Sequence, residues 1–332
     1  MKKGRERFEL NLNKVENLLQ QAQKEENPAW WLYQNNARTP LFMLEGLCKL
    51  YKKIHNEKVF DKLEAHFKKL EDGIGSIDYF DGFIKEFEPM PKVSSSCKDY
   101  ILQKRAQATK ELNEILQQEG WIGETASRPR KIRKKLKDLD WKKQKKEAYT
   151  IAEIYDSEIK EVLAFWDSCN HCFSQMEEQV HEIRRKLRWL SIYPQALQGL
   201  IQLIGSEETT DIQKSYLTQN ILDSPYNVMP EPGNLVYVLL FVKNNFYALS
   251  WMINELGKEK DKGLGIDLLA QAIENTENIP LTYSVLKASE ILMSDAYVKE
   301  KILAYCTSFC KTYFEAGLLP QLPDAVYEVI GN

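Results

Sequence analysis

Glycine and proline are scarce in this chain, at 15 and 12 among 332 residues. They are the residues that stop helices and make tight turns, so their shortage leaves room for long uninterrupted segments. Strand-like alternation of polar and apolar residues is rare as well. Long apolar runs are missing: the greasiest, Leu235–Val242, gives way to Lys243, Asn244 and Asn245, far short of the ~20 residues that cross a bilayer. The start, MKKGRERFELNLNKVENLL, is basic but lacks an apolar core before its first amphipathic stripe, so no secretory leader is expected. Six cysteines are too few for a disulfide framework in a chain this long. Together these absences predict a cytoplasmic protein with reduced thiols and no membrane span. Neither sign of charge dominates. A net charge of −3 excludes a polycation, so any site for a polyanion must be a local patch.

What is present is helical periodicity, apolar residues recurring three and four apart. Leu12, Val15, Leu18, Leu19 and Ala22 form one such stripe within 8–25. A second helix is expected over 29–55, with Pro40 kinking it or breaking its start. A third spans 58–72, ended by Gly73 and Gly75, and IDYFDGFIKEF begins another. EPMPKVSSSC, from Glu88, reads as the best linker. Further helices are expected over 98–118, 131–166, 170–203, 235–256, 267–294 and 296–316. GSEETTD and DSPYNVMPEPGN are loops, the latter ordered by its tyrosine and methionine. The fold class is therefore all-α, built from antiparallel helical bundles. The expected organisation is an N-terminal bundle half over 1–92 and the remaining helices over 98–332, or one continuous domain.

The stretch HEIRRKLRWLSIYPQALQGL, within a helix expected over 176–203, sets the first functional question. Val180, Ile183, Leu187 and Leu190 share the inward face, and His181, Arg184, Arg185 and Arg188 share an adjoining one. Like charges this close repel by tenths of a kcal/mol per pair and need a reason or a counter-ion. Glu177, Glu178 and Glu182 supply part of one. Two readings stand: a solvated face laced with Glu–Arg pairs, or a row of guanidinium forks for phosphate.

His181-x-x-Arg184-x-x-x-Arg188, with Leu190 after it, resembles the second basic helix of CHAD domains (conserved histidine α-helical domains). Ser191 and Ile192 stand where that pattern has an arginine and an aromatic. In the first half, NNARTPLFMLEGL is similar to the first such helix, with Asn35 in the histidine place and Arg38 in the arginine place; Phe42-Met43-Leu44-Glu45 replaces the basic cluster. IGSIDYFDGF resembles the family's Leu-Gly-x-Val-Arg-Asp-x-Asp turn, matched at Ile74, Gly75, Ile77 and Asp81 and departing at Asp78 and Tyr79. The resemblance covers about 35–203. It implies two pseudo-related four-helix bundles with a basic surface between them, no catalytic group, no cofactor, and inorganic polyphosphate or another polyanion as the partner. The alternative is a helical scaffold or adaptor for protein partners, its polyphosphate site lost.

Other constellations are weaker. Residues 128–146 carry eleven Lys/Arg against two Asp, an electrostatic footprint for polyphosphate or, less favoured, nucleic acid. Lys131, Arg133, Lys134 and Lys135 are its candidate contacts, and Trp141 is expected to pack inward. Cys169-x-x-Cys172, with His171 inside it, together with Cys306 and Cys310, supplies four sulfurs for zinc. Helix interiors seldom present such pairs, so buried thiols and no metal are expected. The four histidines stand outside any catalytic motif. Gly263-Leu-Gly lacks the strand and third glycine of a dinucleotide loop, and Asp78 and Asp81 read as caps rather than an acid/base pair. No enzyme is expected.

Overall fold

The computed structural model describes residues 2–124, 126–205, 208–293 and 298–329. It is 73% helical with one small sheet, so the all-α expectation holds. The chain forms two compact units, 1–141 with 265–296, and 142–264 with 297–332.

The first unit is helical. α1 (Lys3–Ala22) is followed by α2 (Pro28–Gln34), α3 (Arg38–Ile54), α4 (Glu57–Phe87), α5 (Ser95–Gln118) and α6 (Arg128–Lys137). The helix expected over 29–55 is two. The break lies at Asn36, held at φ 54°, and Pro40 sits in the first turn of α3, where its missing N–H costs nothing. Gly73 and Gly75 do not end a helix, because α4 runs through both for 31 residues. They are places of close approach: a β-carbon would come within 2.8 Å of Leu112 at Gly73 and 2.7 Å of Arg38 at Gly75. The Glu88–Ser94 turn joins α4 to α5 inside one unit, and Ser94 Oγ caps α5 by accepting the Cys97 N–H. The unit boundary falls instead after Trp141.

The core of this unit is an aromatic nest of Phe8, Tyr51, His55, Phe60 and Trp141, with ring centroids 5.1–6.2 Å apart. Trp141 packs inward as expected, its indole N–H donating to the Leu136 carbonyl. Gly4 makes room for it, since a β-carbon there would meet the Trp141 and Tyr51 rings at 2.6 and 2.8 Å. Arg7 is buried beside them and donates to the Tyr51 hydroxyl at 2.7 Å.

The second unit contains α7 (Gln144–Ser168), a π-helical turn at Met176–His181, α8 (Glu182–Ala196), the short helices α9 (Asp211–Tyr216) and α10 (Gln219–Leu222), and the start of α11 (Lys243–Glu277). The helix expected over 131–166 is therefore broken at Asp138–Lys143. That expected over 170–203 loses both ends. Asn170 and His171 have positive φ, and its last residues form β1 (Ile201–Ile204). β2 (Tyr237–Val242) takes the front of the helix expected over 235–256. β1 pairs parallel with β2, and β2 antiparallel with β3 (Pro323–Glu328), a strand that residue order did not announce. α11 continues past Leu256 through Gly263 and Gly265, so its last turns belong to the first unit. α12 (Leu281–Met293) belongs to that unit too, and α13 (Val298–Glu315) to the second. Parts of the expected segments at Ser206–Glu207 and 294–297 lie outside the described residues.

A buried polar chain ties α9 to α11. Gln213 Nε2 donates to Asn245 Oδ1 at 2.8 Å, and Asn245 Nδ2 donates to the Gln321 carbonyl at 2.9 Å. The 223–233 loop is ordered, though not by its tyrosine: Tyr226 is 64% exposed. Asn227 is the buried member and donates to the Ile221 carbonyl. Gln195 Nε2 holds the carbonyls of Tyr226 and Val228 from outside.

Candidate functional site

The outer face of α8 is neutralised from within. Its inward stripe is as expected, with Val180, Ile183, Leu187 and Leu190 buried. His181 Nδ1 lies 2.6 Å from Glu177 Oε1 across the π-helical turn. Arg185 donates to Glu182 Oε2 from Nε at 2.8 Å, and Lys186 reaches the other oxygen at 3.7 Å. Arg188 is half-buried, with its Nε shielded from solvent. Arg184 turns inward, its Nε donating to the Ile253 carbonyl of α11 at 3.1 Å. Gly257 makes this possible, because a β-carbon there would stand 2.9 Å from that nitrogen. A mid-helix carbonyl is normally screened by side chains; the glycine gap lets a guanidinium reach it.

Arg38 is placed in the same way in the first unit. It lies in the Gly75 gap of α4, with Nε donating to Glu71 at 2.6 Å and Nη1 to Asp78 at 3.0 Å, over the Phe42 ring at 5.1 Å. Arg38 and Arg184, the first arginine of each motif, therefore each lie against a neighbouring helix's glycine. A signal for the second gap was in the sequence: Leu256-Gly257 repeats the apolar–Gly pair of Ile74-Gly75.

The acids near Arg38 include a group that sequence reasoning missed. Glu45 is buried in α3, and its Oε2 has no hydrogen-bond partner among the described residues. Burial, together with the charges of Glu71 and Glu64 on α4, pushes its carboxyl from 4.5 to about 7, against the pull of Lys49 and Lys68. Lys49 lies 3.5 Å from Glu45 and 2.6 Å from Glu64. Asp81, also buried, goes the other way. Burial works to raise it, but hydrogen bonds from Lys85, Tyr33 and Arg105 prevail and hold it below the ordinary carboxylate range.

α6 is different. Ile132 and Leu136 are buried, and Arg133 is fastened to α1 by Glu9, Glu16 and Asn13 at 2.9, 2.7 and 2.6 Å. Arg128 donates to the Glu119 carbonyl at 2.9 Å. Arg130, Lys131, Lys134, Lys135 and Lys137 are all exposed, and among the described residues none of them has an ion-pair partner. At 100° per residue these five share one arc, broken only by Asp138, over a rise of about 10 Å. Lys134, Lys135 and Lys137 stand in the last turn, where the helix dipole favours cations. Arg130 and Lys131 stand at the first turn, where it opposes them. That turn has no acid and no side-chain cap.

The four candidate sulfurs differ in burial. Cys169, Cys306 and Cys310 are buried and Cys172 is exposed. Burial raises Cys169, pushes Cys306 to about 12 and raises Cys310 well above the ordinary thiol range. His171 pairs with Asp167 at 2.8 Å. No group of three or more His, Cys, Asp or Glu among the described residues is placed to hold a metal ion, and no helix among them is long and apolar enough to cross a membrane.

The fold and these surfaces define a class: a predominantly helical protein in which Arg38 and Arg184 bond to neighbouring helices and five exposed cations of α6 have no ion-pair partner among the described residues. Compared with known protein families, curated proteins and solved structures, the chain matches none.

Proposed function

We propose that this is a divergent CHAD-like protein of the cytoplasm that binds a phosphate-rich polyanion, inorganic polyphosphate foremost, without catalysis. The binding surface is the outer arc of α6. One observation carries the reading: among the described residues Arg130 and Lys131 have no ion-pair partner at the positive end of a helix, beside three more such cations. Local electrostatics disfavour that placement, and such violations concentrate where function requires them. The arc bears no exposed aromatic for stacking bases, which favours a plain phosphate chain over single-stranded nucleic acid. Arg184, Arg185, Arg188, His181 and Arg38 are then supports rather than contacts.

The test is polyphosphate binding across salt concentrations for the parent, for a variant with Lys131, Lys134 and Lys135 all changed to Gln, and for Arg185→Gln. Affinity should fall with salt in the parent, and the α6 variant should bind more weakly with a shallower slope. Arg185→Gln should bind as the parent does. Equal binding by the parent and the α6 variant, or a single-stranded oligonucleotide bound more tightly than polyphosphate, refutes the assignment. A second reading, a scaffold for protein partners, draws support from the pinned 223–233 loop, which presents Tyr226 and Val228 at 64% and 69% exposure. It expects no polyphosphate binding at all.

A further inference from the structure

Away from α6, a groove of about 560 Å³ runs between α2 and α5, lined by Asn27, Trp30, Arg105, Lys110, Asn113 and Glu114 among others. That volume lies within the ~300–1,000 Å³ of small-molecule sites. Its apolar wall is Trp30, half-buried, with the Arg105 guanidinium 4.9 Å over the ring. Arg105 is anchored at one nitrogen only, Nη1 donating to Asp81 Oδ1 at 2.7 Å. Asp81 is itself fixed, being 3% exposed and accepting the Tyr33 hydroxyl at 2.8 Å. The cation is thus held stiffly, while its remaining N–H groups donate to no other protein atom among the described residues.

The amides of the groove are spent unequally. Asn27 Oδ1 accepts the Trp30 N–H at 3.2 Å and Asn113 Nδ2 at 2.9 Å. Asn113 Oδ1 accepts the Ala29 N–H at 2.9 Å. Both asparagine acceptors are therefore engaged within the protein, while Asn27 Nδ2 and the second Asn113 N–H remain as donors; the Gln117 amide lines the same groove. Lys110 adds an exposed ammonium, and Glu114 an exposed carboxylate. The groove so offers one flat aromatic wall, amide donors, acceptors at Glu114 and Gln117, and two cations.

We infer that this groove binds a nucleoside phosphate, with the base against Trp30, its edge met by the Asn27 and Asn113 amides and Glu114, and the phosphate taken by Arg105 and Lys110. A base edge carries both acceptors and a donor, which uses the amides and Glu114 together; a simple aromatic acid would leave Glu114 opposed to its charge. The inference does not rest on the α6 reading.

Calorimetric titration of the full chain with AMP and UMP tests it, with adenosine and inorganic phosphate as partial ligands. A mononucleotide should bind saturably, and each partial ligand about tenfold or more weaker. Lys110→Glu should weaken nucleotide binding by at least about tenfold, and Trp30→Leu should do the same with the melting temperature recorded alongside. Lys110 is exposed and off the core, so the first variant keeps the test decisive if the second fails to fold. The α6 triple Gln variant should bind nucleotide as the parent does. The inference is overturned if neither mononucleotide saturates below about 5 mM, if Lys110→Glu binds like the parent, if phosphate alone binds as tightly as AMP, or if the α6 variant loses the nucleotide.

Discussion

Replacing Glu45 with Gln should make the protein more stable at pH 8 while leaving it little changed near pH 4.5. Glu45 is 3% exposed, one carboxylate oxygen is unbonded, and its carboxyl sits near 7 in the folded chain against 4.5 ordinarily. Below pH 4.5 the folded and unfolded chains both hold the proton. Between 4.5 and about 7 the unfolded chain releases it and the folded chain keeps it. Above about 7 the folded chain must bury a charge. Stability from this group is therefore present at low pH and lost as pH rises through the folded value. At ~1.4 kcal/mol per pH decade the loss amounts to about 3 kcal/mol. The glutamine of the Glu45→Gln variant does not ionise, and Lys49 keeps Glu64 at 2.6 Å. Every charged group facing the site from α3 and α4, namely Lys49, Glu64, Lys68 and Glu71, is common to parent and variant. The quantity to measure is thus a double difference: variant minus parent in urea unfolding free energy at pH 8, less the same at pH 4.5. The expected value is about +3 kcal/mol. A difference that stays constant with pH to within about 0.5 kcal/mol refutes the reasoning, because it would mean Glu45 ionises freely in the fold.

Other outcomes follow from the same geometry. Arg184→Gln removes the bond to the Ile253 carbonyl and should destabilise the chain by about 1–3 kcal/mol without weakening polyphosphate binding; unchanged thermal unfolding would show that the Gly257 seat carries no weight. Gly4→Ala drives a methyl into the Trp141 and Tyr51 rings and should cost about 1–3 kcal/mol, read by denaturant midpoint. A thiol reagent on the native protein should label Cys172 first and leave Cys48, Cys306 and Cys310 protected, as peptide mapping would reveal; rapid labelling of Cys310 would contradict its burial. Far-UV circular dichroism should be helix-dominated, with strand well below a quarter of the chain.

Long helices were legible from residue order alone, because contacts three and four apart are local and leave their period in the sequence. Leu12, Val15 and Leu19 of α1, and Val180 to Leu190 around α8, are buried as their spacing requires. The strands were not legible. Ile201–Ile204 and Tyr237–Val242 are short apolar runs, which a buried helix and a buried strand write alike, and only pairing across 38 residues makes them a sheet. The glycines misled for a related reason. Gly75 and Gly257 look like stops, yet each is the gap that another helix's arginine fills, and that arginine lies 37 or 73 positions away. The charges depended most on the fold. A run of basic residues states how many cations exist and nothing about which acids reach them. Arg38 meets Glu71, Arg133 meets Glu9 and Glu16 across more than a hundred residues, and Arg184 meets a backbone carbonyl. Residue order determines local period and the supply of charge; the cations that stay unpaired are decided by long-range packing, because ion pairing falls off within a few ångströms and only the tertiary fold sets those distances.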